Sequence, residues 1–393
     1  VPTPRHAALA TAALVLGGVA IGTTEFVTMG ILPEISTDLA VTIPQAGHAI
    51  SAYAAGVVVG APLIAAVGAS WPRKGLLLGL LAALIVGNAA AALAPGYESL
   101  VAARFLAGLP HGAYFGVASL VAIELAPVGQ AGRAVGRVML GIPVANVLGV
   151  PFATWLGQQL GWRFAYWLVV AVGALAVGLV ALVVPHVARD LEGTVRRELK
   201  EFANLQVLLT LLVGAIGFGG LFAMLSYIAP TLTEVTGLAA SWVPWYLLAS
   251  GVGGIVGTPI AGRMADWSVL RSAVIGLAGT AANLTVFALV AQWAIPALIC
   301  VFLSAVFAGI LVVSLQLRLM DVARKAKTLG AASNHAAFNT ANALGAWLGG
   351  LVIARGYGFT APSWVGVGLA LGGLIVLGIS LLVHRREART ALG

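Results

Sequence analysis

Long apolar runs, repeated from one end to the other, constrain this chain more than any other feature. Read between charges and Pro/Gly punctuation, they fall at about 8–31, 45–69, 75–94, 98–125, 134–158, 163–185, 205–230, 242–265, 270–291, 294–317, 330–354 and 361–383. About 20 mostly apolar residues carry a helix across the hydrocarbon of a bilayer, so the pattern predicts an all-α polytopic membrane protein with twelve transmembrane helices. Only 9% of residues are charged and 60% are hydrophobic, against roughly 25% charged in a soluble domain. The first run is too long for a signal-peptide core and flows into a second, which reads as a retained span. Cys300 is the single cysteine, so no disulfide framework is possible.

With the N-terminus placed inside, the basic residues segregate. The cytoplasmic set is Arg5, Arg73, Lys74, Arg133, Arg137, Arg189, Arg196, Arg197, Lys200, Arg263, Arg271, Arg318, Arg324, Lys325, Lys327, Arg385, Arg386 and Arg389, against Arg163 and Arg355 outside and Arg104 within a span. Cytoplasmic loops collect Lys and Arg, so both termini are expected in the cytoplasm. Trp155, Trp162, Trp242, Trp245, Trp293 and Trp364 then fall at outer ends and Trp71 and Trp267 at inner ends, as an interfacial belt requires. The net charge of +8 thereby reflects topology and anionic lipid rather than nucleic acid.

A shift of 197 residues, about half the chain, aligns GVVVGAPLIAAVGASWPRKGLLLG (56–79) with GGIVGTPIAGRMADWSVLRSAVIG (253–276). Both copies straddle the turn after the second helix of their half. The charge-balanced segment HVARDLEGTVRRELKEFANLQ lies between the halves, giving an N-terminal six-helix bundle over 1–185, a cytoplasmic linker over 186–204 and a C-terminal bundle over 205–393. Parallel repeats of this kind are one transporter architecture.

The chain resembles the major facilitator superfamily, and within it the twelve-span drug:proton antiporters close to bacterial chloramphenicol-resistance and sugar-efflux exporters. The resemblance covers essentially the whole chain. It rests on GTTEF and GILPEISTDL in and after span one, AARFLAGLPHGAYFG in span four, GIPVANVLGVPFATWLG in span five and GRMADWSVLR after span eight. It implies two pseudo-symmetric six-helix bundles, a substrate cavity and alternating access. It further implies small-molecule substrates and protons as partners, a bacterial cytoplasmic membrane, a monomer, and no cofactor beyond the proton gradient. The first-half cytoplasmic signature usually carries an acid before its basic residues; here Arg73 and Lys74 stand without one, whereas Arg263 and Asp266 keep the second-half version.

Charges inside spans are costly, about 2.5–3.5 kcal/mol at mid-bilayer on insertion scales, and face a cavity or a partner. Glu25 and Arg104 sit about seven and six residues from the outer ends of spans one and four, roughly 10 Å deep at 1.5 Å per residue. Two readings stand: Glu25 changes protonation or partner while Arg104 tunes it, or the two form a permanent pair or merely bind backbone carbonyls. Glu34 and Asp38, just beyond, fall in the outer loop. His111 follows Arg104 by two helical turns on nearly the same face, fit to relay protons or to pack. Gly108, Gly112 and Gly116 offer a small-residue stripe, and Glu124 reads as interfacial.

In span five Gly141, Ala145, Gly149, Ala153 and Gly157 recur every four residues, with Pro143 and Pro151 between them, a stripe for close helix approach. Span eleven carries His335, Asn339 and Asn342 on one face, for cavity lining or interhelical hydrogen bonds. Phe222, Met224 and Tyr227 of span seven suit either an apolar ligand or generic helix packing, and with Phe115, Asn146 and the span-eleven face these are the candidate substrate-cavity residues. Nothing supports an enzyme strongly, and the rival reading of a transporter-shaped sensor or membrane enzyme finds no obvious output or catalytic domain in the small loops. No Walker-type phosphate loop occurs, and the six histidines and one cysteine lack metal-ligand spacing.

Overall fold

The computed structural model describes residues 4–68, 71–127, 131–185, 204–322 and 327–390, and within them every side chain except those of residues 4, 5, 61, 62, 65–68, 131–133, 320, 327–333, 335 and 384–390. Secondary structure among the described residues is helical throughout. Among the described residues, ten helical runs are long and apolar enough to cross a membrane. One of them, Ala240–Val290, has 51 residues and breaks at Ser268, whose φ of −171° and ψ of 112° are extended, so it supplies spans eight and nine. Span two, Ile43–Gly68, has 26 residues and carries no Asp, Glu, Lys or Arg, which completes twelve.

Several spans are interrupted where the sequence removes a backbone donor or inserts glycine. Span four consists of Tyr97–Gly108 and His111–Leu125, parted at Leu109–Pro110, because proline has no N–H for the helical ladder. Span five passes through a π-helical turn at Ala145–Gly149 between Gly141–Val144 and Val150–Leu160. Span seven is divided into Leu205–Gly217, Gly219–Leu225 and Ile228–Glu234.

The chain forms two compact units, one of Val1–Gly193 with Ala239–Gly251 and one of Thr194–Leu238 with Val252–Gly393. The Ala239–Gly251 stretch, at the start of span eight, belongs to the first unit through specific contacts. Gln158 Nε2 donates to the Ala240 carbonyl at 3.0 Å. A Cβ on Gly251 would lie 2.6 Å from the Asn146 carbonyl oxygen, and one on Gly30 would lie 2.7 Å from Leu247.

The repeat survives at the level of atoms. In the first unit, a Cβ on Gly56 or Gly60 would meet the carbonyl oxygens of Phe105 or Leu109 at 2.1 Å each. In the second, a Cβ on Gly253 or Gly257 would meet those of Phe302 and Val306 at 2.3 and 2.7 Å. Each of these four pairs of equivalent positions is 197 residues apart. The second and fourth helices of each unit therefore touch in one register, and glycine is required because the backbones approach too closely for a side chain.

Span five's stripe finds its partner in span one (Pro4–Gly30). A Cβ on Gly141 would lie 2.7 Å from Gly18 Cα, one on Gly149 would lie 2.1 Å from Thr23 Oγ1, and one on Gly157 would lie 2.9 Å from Ile31. Pro143 and Pro151 are half-buried between them. Span four's stripe is shorter than its spacing suggested: a Cβ on Gly108 would meet the Tyr53 carbonyl oxygen at 2.1 Å, but one on Gly116 would meet nothing within 4 Å.

At the predicted cytoplasmic end, the acid missing from the first-half signature comes from another helix. Arg73 forms an ion pair with Glu124 of span four, and Lys74 Nζ donates to the Ala181 carbonyl of span six at 2.7 Å. Arg263 and Asp266 are both exposed, and no ion pair joins them among the described residues. Of the eight tryptophans assigned to span ends, Trp162 is buried and donates Nε1–H to Asp38 at 3.0 Å, whereas the other seven are about half exposed.

Candidate functional site

Span one places four polar side chains within six residues on different sides. Thr23 faces span five at Gly149, Thr24 faces spans three and four, Glu25 faces His111, and Thr28 Oγ1 shares a 2.8 Å hydrogen bond with the Tyr166 hydroxyl of span six. Successive helical residues are turned by 100°, so a polar run of this kind reaches several neighbours at once.

Arg104 is completely buried. Its fork is satisfied by neutral groups: Nη1 donates to Thr24 Oγ1 at 2.8 Å, Nη2 to the Thr24 carbonyl at 2.8 Å, and Nε to the Ala49 carbonyl at 3.4 Å. Aromatic faces cover the cation, with the guanidinium carbon 4.4 Å from the Tyr53 ring centre and 5.4 Å from that of Tyr166. Such cation–π contacts strengthen when desolvated. Thr24 Oγ1, in turn, donates to Asn88 Oδ1 at 2.5 Å, and Asn88 Nδ2 donates to the Leu84 carbonyl.

Glu25 and Arg104 share this layer, but they do not form an ion pair within 4.0 Å among the described residues. The group that approaches Glu25 is His111, whose Nδ1 lies 4.0 Å from Glu25 Oε2. The same nitrogen is 3.1 Å from the Tyr53 hydroxyl. Four ionisable side chains, Glu25, Tyr53, Arg104 and His111, are thus packed together at 5% exposure or less. Depth alone matched Glu25 with Arg104; it missed Thr24, Tyr53 and Asn88, which hold the cation. A polar residue beside Glu25 and an aromatic on span two were the available signals.

Phe115, one turn beyond His111, is buried with its ring centre 5.5 Å from the imidazole's. Asn146 lies in the π-helical turn, half-buried. In the second unit Phe222, Met224 and Tyr227 are buried. The Tyr227 hydroxyl donates to the Ala346 carbonyl at 2.7 Å and Met224 Sδ accepts from Ser304 Oγ at 3.9 Å, so both side chains join spans within that unit. Asn339 and Asn342 are buried too. The side chain of His335 lies outside the described residues. Asn342 is fully buried, and neither Nδ2 nor Oδ1 has a hydrogen-bond partner among the described residues.

Among the described residues no group of three His, Cys, Asp or Glu side chains could hold a metal ion. Among the described residues, twelve apolar spans in two repeated units, with a buried charged cluster in the first, are the architecture of an integral membrane transporter. The chain belongs to the Major Facilitator Superfamily, whose sequence profile matches residues 14–328. It is 38% identical over 387 residues to the inner membrane transport protein YdhP of Escherichia coli K12, covering 96% of this chain and 95% of the relative. It is 32% identical over 370 residues to a chloramphenicol resistance protein of Streptomyces lividans, covering 93% and 92%. The crystal structure of a bacterial homologue of the human lysosomal transporter Spinster superposes with a TM-score of 0.76 at 15% identity, covering 98% of both chains. At that identity the likeness concerns the fold.

Proposed function

We propose that this transporter exports small, lipophilic compounds, chloramphenicol-like antibiotics among them, across a bacterial cytoplasmic membrane in exchange for protons. In this reading it works as a monomer by alternating access, with both termini in the cytoplasm and no cofactor beyond the proton gradient. The observation that carries it is the buried layer of Glu25, His111 and Arg104. A carboxylate that lies beside an imidazole and outside any ion pair with the buried cation is able to gain and lose a proton as its surroundings change, whereas a locked acid–guanidinium pair would not. Support for a lipophilic substrate comes from the Streptomyces relative's name, while the scarcity of other buried charge among the described residues argues only against a strongly ionic one.

The test is efflux from cells and proteoliposomes with and without an uncoupler. Glu25→Gln is expected to abolish uphill efflux while leaving exchange of bound substrate partly intact. Undiminished proton-dependent accumulation in a well-expressed Glu25→Gln variant overturns the proposal.

A second reading, export or facilitated passage of a sugar or other metabolite, draws on Asn342. A buried amide without a partner costs about 1–3 kcal/mol, and a hydroxylated substrate reaching it would recover part of that. A panel of drug and sugar efflux assays separates the two readings.

A further inference from the structure

Tyr53 was not singled out by any sequence motif, yet it touches both halves of the charged layer. Its ring covers Arg104 at 4.4 Å and its hydroxyl lies 3.1 Å from His111 Nδ1. Gly108 fixes the height at which it does so: the Tyr53 carbonyl comes so near that a Cβ at position 108 would sit 2.1 Å from it. Arg104, Gly108 and His111 follow one another at four and three residues, and because Leu109 and Pro110 keep right-handed helical dihedrals across the break they stay on nearly one face of span four. The tyrosine backbone docks at the middle of that face, and its side chain meets the residue on either side.

We infer that Tyr53 is a positioning residue of the coupling layer, its hydroxyl competing with Glu25 for one nitrogen of His111. This rests on the proton-coupled reading above. The chemistry follows from the imidazole's two forms. In the neutral ring whose proton is on Nε2, Nδ1 is an acceptor; the Tyr53 hydroxyl donates to it, and an ionised Glu25 gains nothing there. When a proton binds Nδ1, that nitrogen becomes a donor, the tyrosine's donated bond is lost, and the Glu25 carboxylate at 4.0 Å is the strongest acceptor beside it. The proton's arrival therefore exchanges one partner for the other, with no covalent bond formed except N–H.

The ring meanwhile stays over Arg104, so the exchange is felt beside the cation. The ionisable groups around this point are Glu25 from span one, Tyr53 from span two, Arg104 from span four and Tyr166 from span six, the last directed to Arg104 and Thr28. Tyr114 turns its hydroxyl to the Leu14 carbonyl instead. Span three contributes the neutral Asn88.

The test is a pH titration of purified full-length protein carrying 13C-labelled histidine. The His111 resonance is assigned by its loss in His111→Gln, and no transported ligand is needed. Removing the hydroxyl in Tyr53→Phe keeps the ring over Arg104 and deletes only the bond to Nδ1. A net hydrogen bond corresponds to a displacement of the His111 titration midpoint by about half to one pH unit. Incorporation of 3-fluorotyrosine at position 53 makes the hydroxyl a stronger donor and is expected to move the midpoint in the opposite direction, which remains measurable should Tyr53→Phe fail to fold. A His111 curve unchanged in either folded variant overturns the inference. Failure of the proton-coupled reading shows elsewhere, as retained uphill efflux in Glu25→Gln.

Discussion

Two carboxylates one helical turn apart behave oppositely. Asp38 receives hydrogen bonds from Arg163 Nη1 at 2.5 Å and from Trp162 Nε1 at 3.0 Å, and these bonds hold its carboxyl below the usual aspartate range. Burial pushes Glu34 above the usual glutamate range, and its Oε2 has no hydrogen-bond partner among the described residues. The sequence places both in the outer loop; the structure places them on the helix Leu32–Asp38. The signs of their pH effects differ accordingly. Asp38 contributes stability above its unfolded value and loses it as pH falls through the depressed folded value. At neutral pH Asp38→Asn is expected to cost about 0.2–1 kcal/mol, the range of exposed ion pairs, and the difference from wild type should vanish in acid. Glu34 imposes no ionic penalty while protonated, and an increasing one as pH rises from its unfolded value through the raised folded value. Glu34→Gln should therefore gain on wild type over that window. Melting temperatures in detergent from acid to neutral pH check both; parallel curves for the two variants would contradict the assignment.

Among the elements, span one is the part whose surroundings decide the site, and it is held by glycines. Small residues every four positions in span five were enough to predict a close approach, but not to say which helix approached. A spacing describes one face and is silent about what lies against it. The same limit explains Arg104. Depth could match it to Glu25, but Thr24 is turned by 100° from Glu25 at the same depth, and only the packing of spans three and four shows that the guanidinium takes the threonine. Replacing Gly149 by alanine puts a Cβ 2.1 Å from Thr23 Oγ1, a collision that the threonine, bonded to the Val19 carbonyl at 2.7 Å, must move to relieve. The expected loss is about 1–3 kcal/mol, as for other overpacked contacts. Thr23→Ala in the same chain should recover part of it, since the two positions share one contact. Gly116→Ala, where the added methyl meets nothing within 4 Å, serves as the control and should melt with wild type.

At the scale of the whole molecule, the repeat explains both what the units share and where they differ. Spans two and four of the first unit and eight and ten of the second keep the same contacts at an offset of 197, yet that offset carries Arg104 to Val301 and His111 to Ala308, both buried and apolar. The fold was thus written twice and the charged layer once, which is why apolar runs revealed the architecture readily while the site depended on a few residues with no copy for comparison. The remaining charges specify orientation, and the single, buried Cys300 makes this directly measurable. In a Cys300→Ser background, cysteine is introduced either as Glu234→Cys, an exposed position at the predicted outer end of span seven, or as Arg196→Cys in the predicted cytoplasmic linker. The positive-inside distribution predicts that a membrane-impermeant maleimide labels Glu234→Cys in intact spheroplasts and labels Arg196→Cys only after permeabilisation. The reverse pattern would invert all twelve spans. It would put Glu25 and Arg104 on the cytoplasmic half of the membrane, and a proton entering from outside would then have to cross most of the bilayer before reaching the layer that is proposed to bind it.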